Sequence, residues 1–331
     1  MLDFFKNNKK TIYVLLLAAI LLLPLVVSSS YIIRIMVVTG VYIILTLSLN
    51  LVTGYAGQFC LGWAAFYGIG AYTSALLVLK LNWSFWLALP MGGIVAALFG
   101  ILLGIPTMRL RDIYLAITTL GFGEIIRLIL LNWNDLTRGA MGLPGIPGPS
   151  LFGVSLDNNY FYYYFMVFLV LLTIGSIVRI IDSRLGRALI AIREDELAAK
   201  SMGIDTTRYK VIAFAIGAFF AGIAGSFYAH YTSFIDPQTF SFSESIVILS
   251  MVVLGGMGSI IGSIFGAVVL TLLPEMLRDI AEYRMIIFGL IMMVVMLVRP
   301  QGIFGKGRDD GKRRTRVKKQ GGDASDVVGG S

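Results

Sequence analysis

Long apolar runs alternate with short polar stretches along the chain, and ten of them are candidate membrane spans: about 11–27, 31–52, 62–79, 85–107, 112–131, 160–181, 209–231, 243–255, 258–273 and 284–298. An α-helix needs about 17–25 apolar residues to cross the hydrocarbon core, where every backbone polar group must find a partner within the protein. The eighth and ninth runs are short and glycine-rich, so they are half-helices or one bent element, and the count is nine or ten. The pattern predicts an all-α integral membrane protein. The first run follows Lys9 and Lys10 and ends in VVSSS. It exceeds the usual signal-peptide apolar core and no A-x-A site follows, which favours a retained anchor.

One stretch resists the helical reading. GYAGQFCLGWAAFYGIGAY, residues 54–72, sets Gly54, Gly57, Gly62, Gly68, Gly70 and the polar Gln58 within an apolar region. Each glycine costs about 1 kcal/mol relative to alanine in a helix. Irregular backbone at membrane depth survives where it is buried in protein or lines a watery cavity, and broken helices in two related halves point to a substrate path. A counterpart lies at 235–259, IDPQTFSFSESIVILSMVVLGGMGS. Aligning Gln58 with Gln238 puts each segment after a helix of opposite direction, the arrangement of an inverted repeat. Gly54 and Gly57 are then predicted to break the first helix and Pro237 the second. The candidate path residues are Gly54, Gly57, Gln58, Gly62, Pro237 and Gln238. The competing reading is that the glycines only let helices pack closely.

Composition agrees with the membrane assignment: 57% of residues are hydrophobic and 14% charged, against roughly 25% charged in a soluble domain. A single cysteine, Cys60, and a single histidine exclude an intramolecular disulfide and an enclosed zinc site, so no metal is expected. With the N-terminus in the cytoplasm, the inside segments hold 21 of the 27 Lys and Arg residues, among them Arg109, Arg111 and the cluster from Arg179 to Lys210. The net charge of +8 therefore reflects topology rather than nucleic-acid binding. The chain divides into an N-terminal cytoplasmic segment and first anchor (1–30), a polytopic membrane domain (31–300) and a basic, disordered cytoplasmic tail (301–331) suited to anionic lipid. Residues 132–159, rich in glycine and proline, read as an external loop.

Residues 182–210 form the one long cytoplasmic loop. Leu185, Leu189 and Ile192 make an apolar stripe on a charged helix. Glu194, Asp195 and Glu196 sit where a second helix would start, and Lys200 and Gly203 where it would end. Such a pair suits a groove on a cytoplasmic partner, or is a connector packed on its own bundle. No P-loop occurs, GIFGKG at 302–307 having the wrong spacing, so the chain is not itself an ATPase. No catalytic constellation is present, and no enzyme is expected. Glu124 and Arg127, at i, i+3 in the fifth span, read as an intramembrane ion pair facing the bundle or a partner. Glu244 reads as a helix-dipole partner and His230 as an interface residue. An ion-coupled secondary transporter would present several unpaired intramembrane carboxylates, which this chain lacks.

Four stretches in order, LSLNLVTGYAGQFCLGWAAFYGIGAYTSALL, DIYLAITTLGFGEIIRLILLNW, GRALIAIREDELAAKSMGI and VVLGGMGSIIGSIFGAVV, resemble the LivH/LivM family of bacterial branched-chain amino acid ABC importer permeases, specifically the LivM type. The resemblance covers about 31–300. It implies a heterodimer with a homologous LivH-type permease, two ATPase subunits that carry ATP and Mg, an external amino-acid-binding protein, and no cofactor on this chain. It also implies the bacterial inner membrane with both termini cytoplasmic, and branched-chain amino acids as substrate, although similar permeases serve urea or amides. The importer coupling loop has the pattern Glu-Ala-Ala, three residues, Gly. Ala198, Ala199 and Gly203 match it, whereas Leu197 holds the Glu position and the acid falls one earlier, at Glu196. The implied ATPase-coupling residues are thus Glu196, Ala198, Ala199 and Gly203. Trp63 departs from the histidine of many relatives.

Overall fold

The computed structural model describes residues 29–107, 110, 112–151, 154–156, 158–276 and 302–304, with the isolated Pro24 and Gly289. The expected first and last spans, the tail, Arg109 and Arg111 lie outside the described residues. Helix α1 (Ser30–Asn50) continues into a π-helical turn, Leu51–Tyr55. There follow α2 (Trp63–Leu81), α3 (Phe85–Thr107), α4 (Asp112–Asn132), the short α5 (Asn134–Thr137), α6 (Asn159–Asp182), α7 (Arg184–Glu194), α8 (Glu196–Ser201), α9 (Thr206–Thr232), α10 (Phe242–Gly255) and α11 (Ile260–Met276). Six helical stretches among the described residues are long and apolar enough to cross a membrane, and α10 and α11 are shorter apolar helices. The chain is a multi-pass membrane protein.

Local chemistry sets the helix ends. Ser183 Oγ accepts from Leu185 N to cap α7, and Asp195 caps α8 by accepting from the backbone N–H of Leu197 and Ala198. Asp205 caps α9 in the same way through Arg208 N. These caps hold orphan donors at helix starts, worth about 1 kcal/mol each. Asn82 closes α2 in a left-handed conformation.

The centre is a three-helix contact of α2, α3 and α9, close because small residues face one another. A Cβ at Gly70 would run into the backbone of Gly222, and one at Gly225 into Tyr67. Interhelical packing without a hydrophobic drive depends on such approach. Helix α1 packs against α6 and α11, and α11 against α10. Helices α4 and α6 are the least covered of the described spans, and α4 leaves Ile113, Ile117 and Ile125 exposed.

Residues 132–159 are more ordered than a connection. Two-residue strands β1 (Leu143–Pro144) and β4 (Phe234–Ile235) pair antiparallel, Leu143 opposite Ile235, and β2 (Ser150–Leu151) pairs with β3 (Val154–Ser155). His230 is not an interface residue. It is buried, with Nε2 2.7 Å from Ser74 Oγ and Nδ1 2.7 Å from the Pro147 carbonyl, so it pins this segment to the bundle.

Candidate functional site

Two interruptions of helix meet at the end of the bundle that carries residues 182–210. The first begins in the π turn, where Ala56 N donates to Leu51 O at 3.3 Å and Gln58 N to Val52 O at 3.0 Å. Gly54 therefore remains inside helical structure, and the chain leaves the helix at Ala56. Gly57 then takes φ +69°, and a Cβ on it would crowd Arg193 Cγ at 3.2 Å. Glycine is needed there for both reasons. The second interruption follows α10, where Gly256 and Gly258 have φ +112° and +80°.

Asn50 joins the two. Its Oδ1 accepts from Gly258 N at 2.8 Å and its Nδ2 donates to Ser259 O at 3.3 Å. From the last turn of α7, Arg193 Nη1 donates to Gly54 O at 2.5 Å, and a Cβ on Gly258 would meet the same Nη1 at 2.7 Å. Backbone groups released by a break need partners when buried. Here they take them from Asn50 and from a side chain of the 182–210 segment.

A cavity of about 240 Å³ opens beside this junction, lined among others by Gln58, Arg193, Glu196 and Lys210. Gln58 is buried. Its Nε2 reaches Ala56 O at 3.4 Å, and its Oε1 has no partner. Lys210, 1% exposed, pairs with Glu196 at 2.7 Å. Glu196 is thus engaged within its own chain. Gly62 lies against the Thr119 backbone of α4, and Leu61 N donates to Thr119 Oγ1 at 3.0 Å. Trp63, buried, donates from Nε1 to Ser48 Oγ at 2.9 Å.

Several expected placements change. Pro237 does not end a helix: α9 stops at Thr232, where Ser233 turns left-handed at φ 54°, and Pro237 sits in a later turn closed by Asp236 Oδ1 accepting from Thr239 N at 2.8 Å. Gln238 is engaged by α4 rather than by the Gly54–Gly57 break. Its Oε1 accepts from Arg127 Nη1 at 3.5 Å, while Arg127 Nε donates to both carboxylate oxygens of Glu124 at 3.0 and 3.1 Å. The break that meets Gly54 and Gly57 is at Gly256–Gly258, within the counterpart segment but twenty residues beyond Gln238.

The stripe of the 182–210 segment is also spent internally. Leu189 packs with Leu51, Ala56 and Ala213, and Ile192 is buried. Ala199 is buried as well, at 4% exposure, whereas Ala198 is exposed. Gly203, at φ +83° with open space around it, turns the chain after α8. The large apolar groups left facing outward are Ile190, Leu197 and Met202, of which Leu197 and Met202 are the most exposed, at 62% and 83%. The sequence left both readings open because a stripe reads alike whether its partner is the same chain or another.

Residues 31–296 match the family described as the permease component of the branched-chain amino acid transport system. The chain is 43% identical over 294 residues to the high-affinity branched-chain amino acid transport system permease protein LivM of Salmonella typhimurium, covering 82% of this chain and 69% of that one. It is 41% identical to LivM of Escherichia coli over 310 residues, 87% and 73% of the two chains. It is also 27% identical over 289 residues to the permease protein LivH of the same Salmonella transport system, 80% and 91% of the two chains. No solved structure matches.

Proposed function

The chain belongs to the branched-chain amino acid transport permease family, and we propose that it works as the LivM-type half of an importer's transmembrane pair. In this reading it sits in the bacterial inner membrane with both termini cytoplasmic and spans it nine or ten times. A LivH-type permease completes the pathway, an external binding protein delivers the amino acid, and two ATPase subunits hold ATP and Mg beneath residues 182–210. The chain is a transport component and carries out no hydrolysis of its own.

The observation that supports this most is Arg193. It belongs to α7, on the segment an ATPase would engage, and its guanidinium bonds the end of the first broken helix at Gly54 O and lies beside Gly258 of the second. A shift of α7 and α8 would remove the partner of Gly54 O directly and change what lies beside Gly258. Gly54, Gly57, Gln58 and Gly62 then belong to the inner part of the path, Pro237 and Gln238 to its outer part, as an inverted repeat would arrange them. The exposed Leu197, Ala198 and Met202 form the ATPase contact, while Glu196, Ala199 and Gly203 shape the helix that presents it. The Glu124–Arg127 pair braces α4, whose exposed face meets lipid or the second permease.

The test is reconstitution of the four components in liposomes. Leucine, isoleucine or valine uptake should require ATP and the binding protein, and the binding protein should hold an aliphatic amino acid at micromolar Kd or tighter, equivalent to about 8 kcal/mol. Uptake driven by an ion gradient without ATP would remove the importer reading. Urea or an amide as the one tight ligand would change the substrate alone.

A further inference from the structure

At the end of the bundle opposite residues 182–210, a cavity of about 110 Å³ lies between α1, α2, α9 and α10, and its polar lining carries both signs of charge. Arg34 of α1 stands at one side and Glu244 of α10 at the other. Tyr42, Tyr67 and Tyr228 line the same cavity as Glu244, so three phenol rings surround the carboxylate's side of it. Asp236 is occupied in part, its Oδ1 accepting from Thr239. Arg34 and Glu244 form no ion pair with each other or with any other described residue, whereas Glu124 and Glu196 are each matched to a cation.

A carboxylate this far into an apolar bundle is costly without a countercharge, and is a functional-site hypothesis by default. The dipole of α10 is a modest compensation, worth about 0.3–1 kcal/mol. Glu244 therefore does more than serve as a dipole partner. The cavity is not sealed. Arg34, Tyr231 and Thr232 also line an adjoining space of about 400 Å³ that reaches Ser30 and Asn159 at the helix starts, and the two adjoining spaces are together termed the vestibule. Arg34 and Tyr42 are eight residues apart on α1, hence about 12 Å apart in depth at 1.5 Å per residue. Because both line one cavity at different depths, a guanidinium and a carboxylate can bracket a short dipolar ligand there. Val38, Val41 and the Tyr67 ring complete the wall with apolar surface.

We infer that this vestibule binds the α-amino acid zwitterion, with the ammonium group at Glu244 and Tyr42, the carboxylate at Arg34, and the aliphatic side chain against Val38 and Val41. The assignment rests on the importer reading and adds the site on this chain that receives the released amino acid. Each charge supplies what the cavity lacks. Arg is the side chain suited to a carboxylate, through a two-pronged hydrogen bond, and a buried ammonium is best met by a carboxylate with a hydroxyl beside it. A neutral ligand such as urea would leave both charges uncompensated, so the site discriminates by charge before it discriminates by shape.

Thiol protection in the assembled complex tests the site without depending on the binding protein's own selectivity. Cys60 is the one native cysteine and is buried, so Val38→Cys supplies the reactive thiol, with Thr239→Cys as a second position should the first impair assembly. A membrane-impermeant cationic thiosulfonate is added from the vestibule side. L-leucine at roughly ten times its dissociation constant should slow labelling about tenfold. Leucinamide, which lacks the carboxylate, and 4-methylpentanoate, which lacks the ammonium, should not. Glu244→Gln and Arg34→Gln should each abolish protection while the complex still co-purifies. No protection by L-leucine, equal protection by all three compounds, or protection that survives both substitutions would overturn the site. ATP-driven leucine uptake by the parent complex separates the two readings: uptake without protection removes the vestibule assignment alone, and protection without uptake removes the importer reading alone.

Discussion

The guanidinium of Arg193 donates to the backbone oxygen of Gly54 across 2.5 Å and 139 residues of sequence. One side chain of a short amphipathic helix thereby substitutes for a backbone donor that the interrupted membrane helix no longer provides. Arg193→Ala should leave that carbonyl without its charged partner, at a cost of about 1–3 kcal/mol. Arg193→Lys retains charge but not the planar fork. In liposomes, both variants should hydrolyse ATP while importing far less substrate per ATP, the Ala variant more severely. Unchanged coupling in both would show that the contact only braces the fold.

Asn50 makes a separable contribution, because its two hydrogen bonds differ in direction. Asn50→Asp keeps an acceptor for Gly258 N and loses the donor to Ser259 O, whereas Asn50→Leu loses both. Each buried group left unsatisfied costs about 1–3 kcal/mol. The detergent-solubilised complex should lose thermal stability in the order wild type, Asp, Leu. A Leu variant as stable as wild type would mean that the two helix breaks do not depend on each other.

The glycines divide by what surrounds them. Gly70 lies against the backbone of Gly222, so Gly70→Ala should force α2 and α9 apart at a cost of about 1–3 kcal/mol. Gly175, within α6, has nothing within 4 Å of a built Cβ. Gly175→Ala should be neutral or stabilise by about 0.5–1 kcal/mol through helix propensity alone. Thermal midpoints of the two purified variants decide the matter, and equal effects would mean that α2 and α9 do not touch as described.

Among the described residues, the six spans and the two shorter apolar helices were legible to within about three residues because apolar length is a strong signal, and residues such as Ser183, Asp195 and Asp205 announce helix starts. The junction was not. Arg193 reads as one more inside-positive charge, and nothing in a linear pattern relates it to Gly54 or Gly258. Pro237 was misread because proline is the obvious breaker, while the helix ends earlier through the left-handed Ser233 and the two-residue pairing of β1 with β4, both set by tertiary contact. The sequence singled out Gly54 and Gly57 but passed over Gly256 and Gly258, although LGGMGS carries the same glycine signal.

Glu124 and Arg127 are matched along one face of α4, with Gln238 as a third partner. Glu124→Gln or Arg127→Gln alone leaves one charge uncompensated in an apolar span, and the double substitution removes both. Assembly with the second permease should therefore suffer more in each single variant than in the double. Equal loss of transport in all three, with normal assembly, would instead assign the pair to the path itself.

Residues 182–210 yield the sharpest contrast, because two nearby positions face opposite ways. Ala199 is 4% exposed and Leu197 62%. Ala199→Phe must overpack the chain's own interior, at a cost of about 1–3 kcal/mol, so it should lower the thermal stability of the permease even without ATPases. Leu197→Asp and Met202→Asp touch nothing that holds the fold, and should leave that stability unchanged. If the exposed apolar pair forms the core of the ATPase contact, a charge there is desolvated on docking, and losing about 1.4–2.8 kcal/mol weakens association about ten- to a hundredfold. The measurement is co-purification of the ATPases with tagged permease, alongside thermal melts of the permease pair by itself. Retention of the ATPases at wild-type level in both Asp variants would place the docking surface elsewhere on residues 182–210.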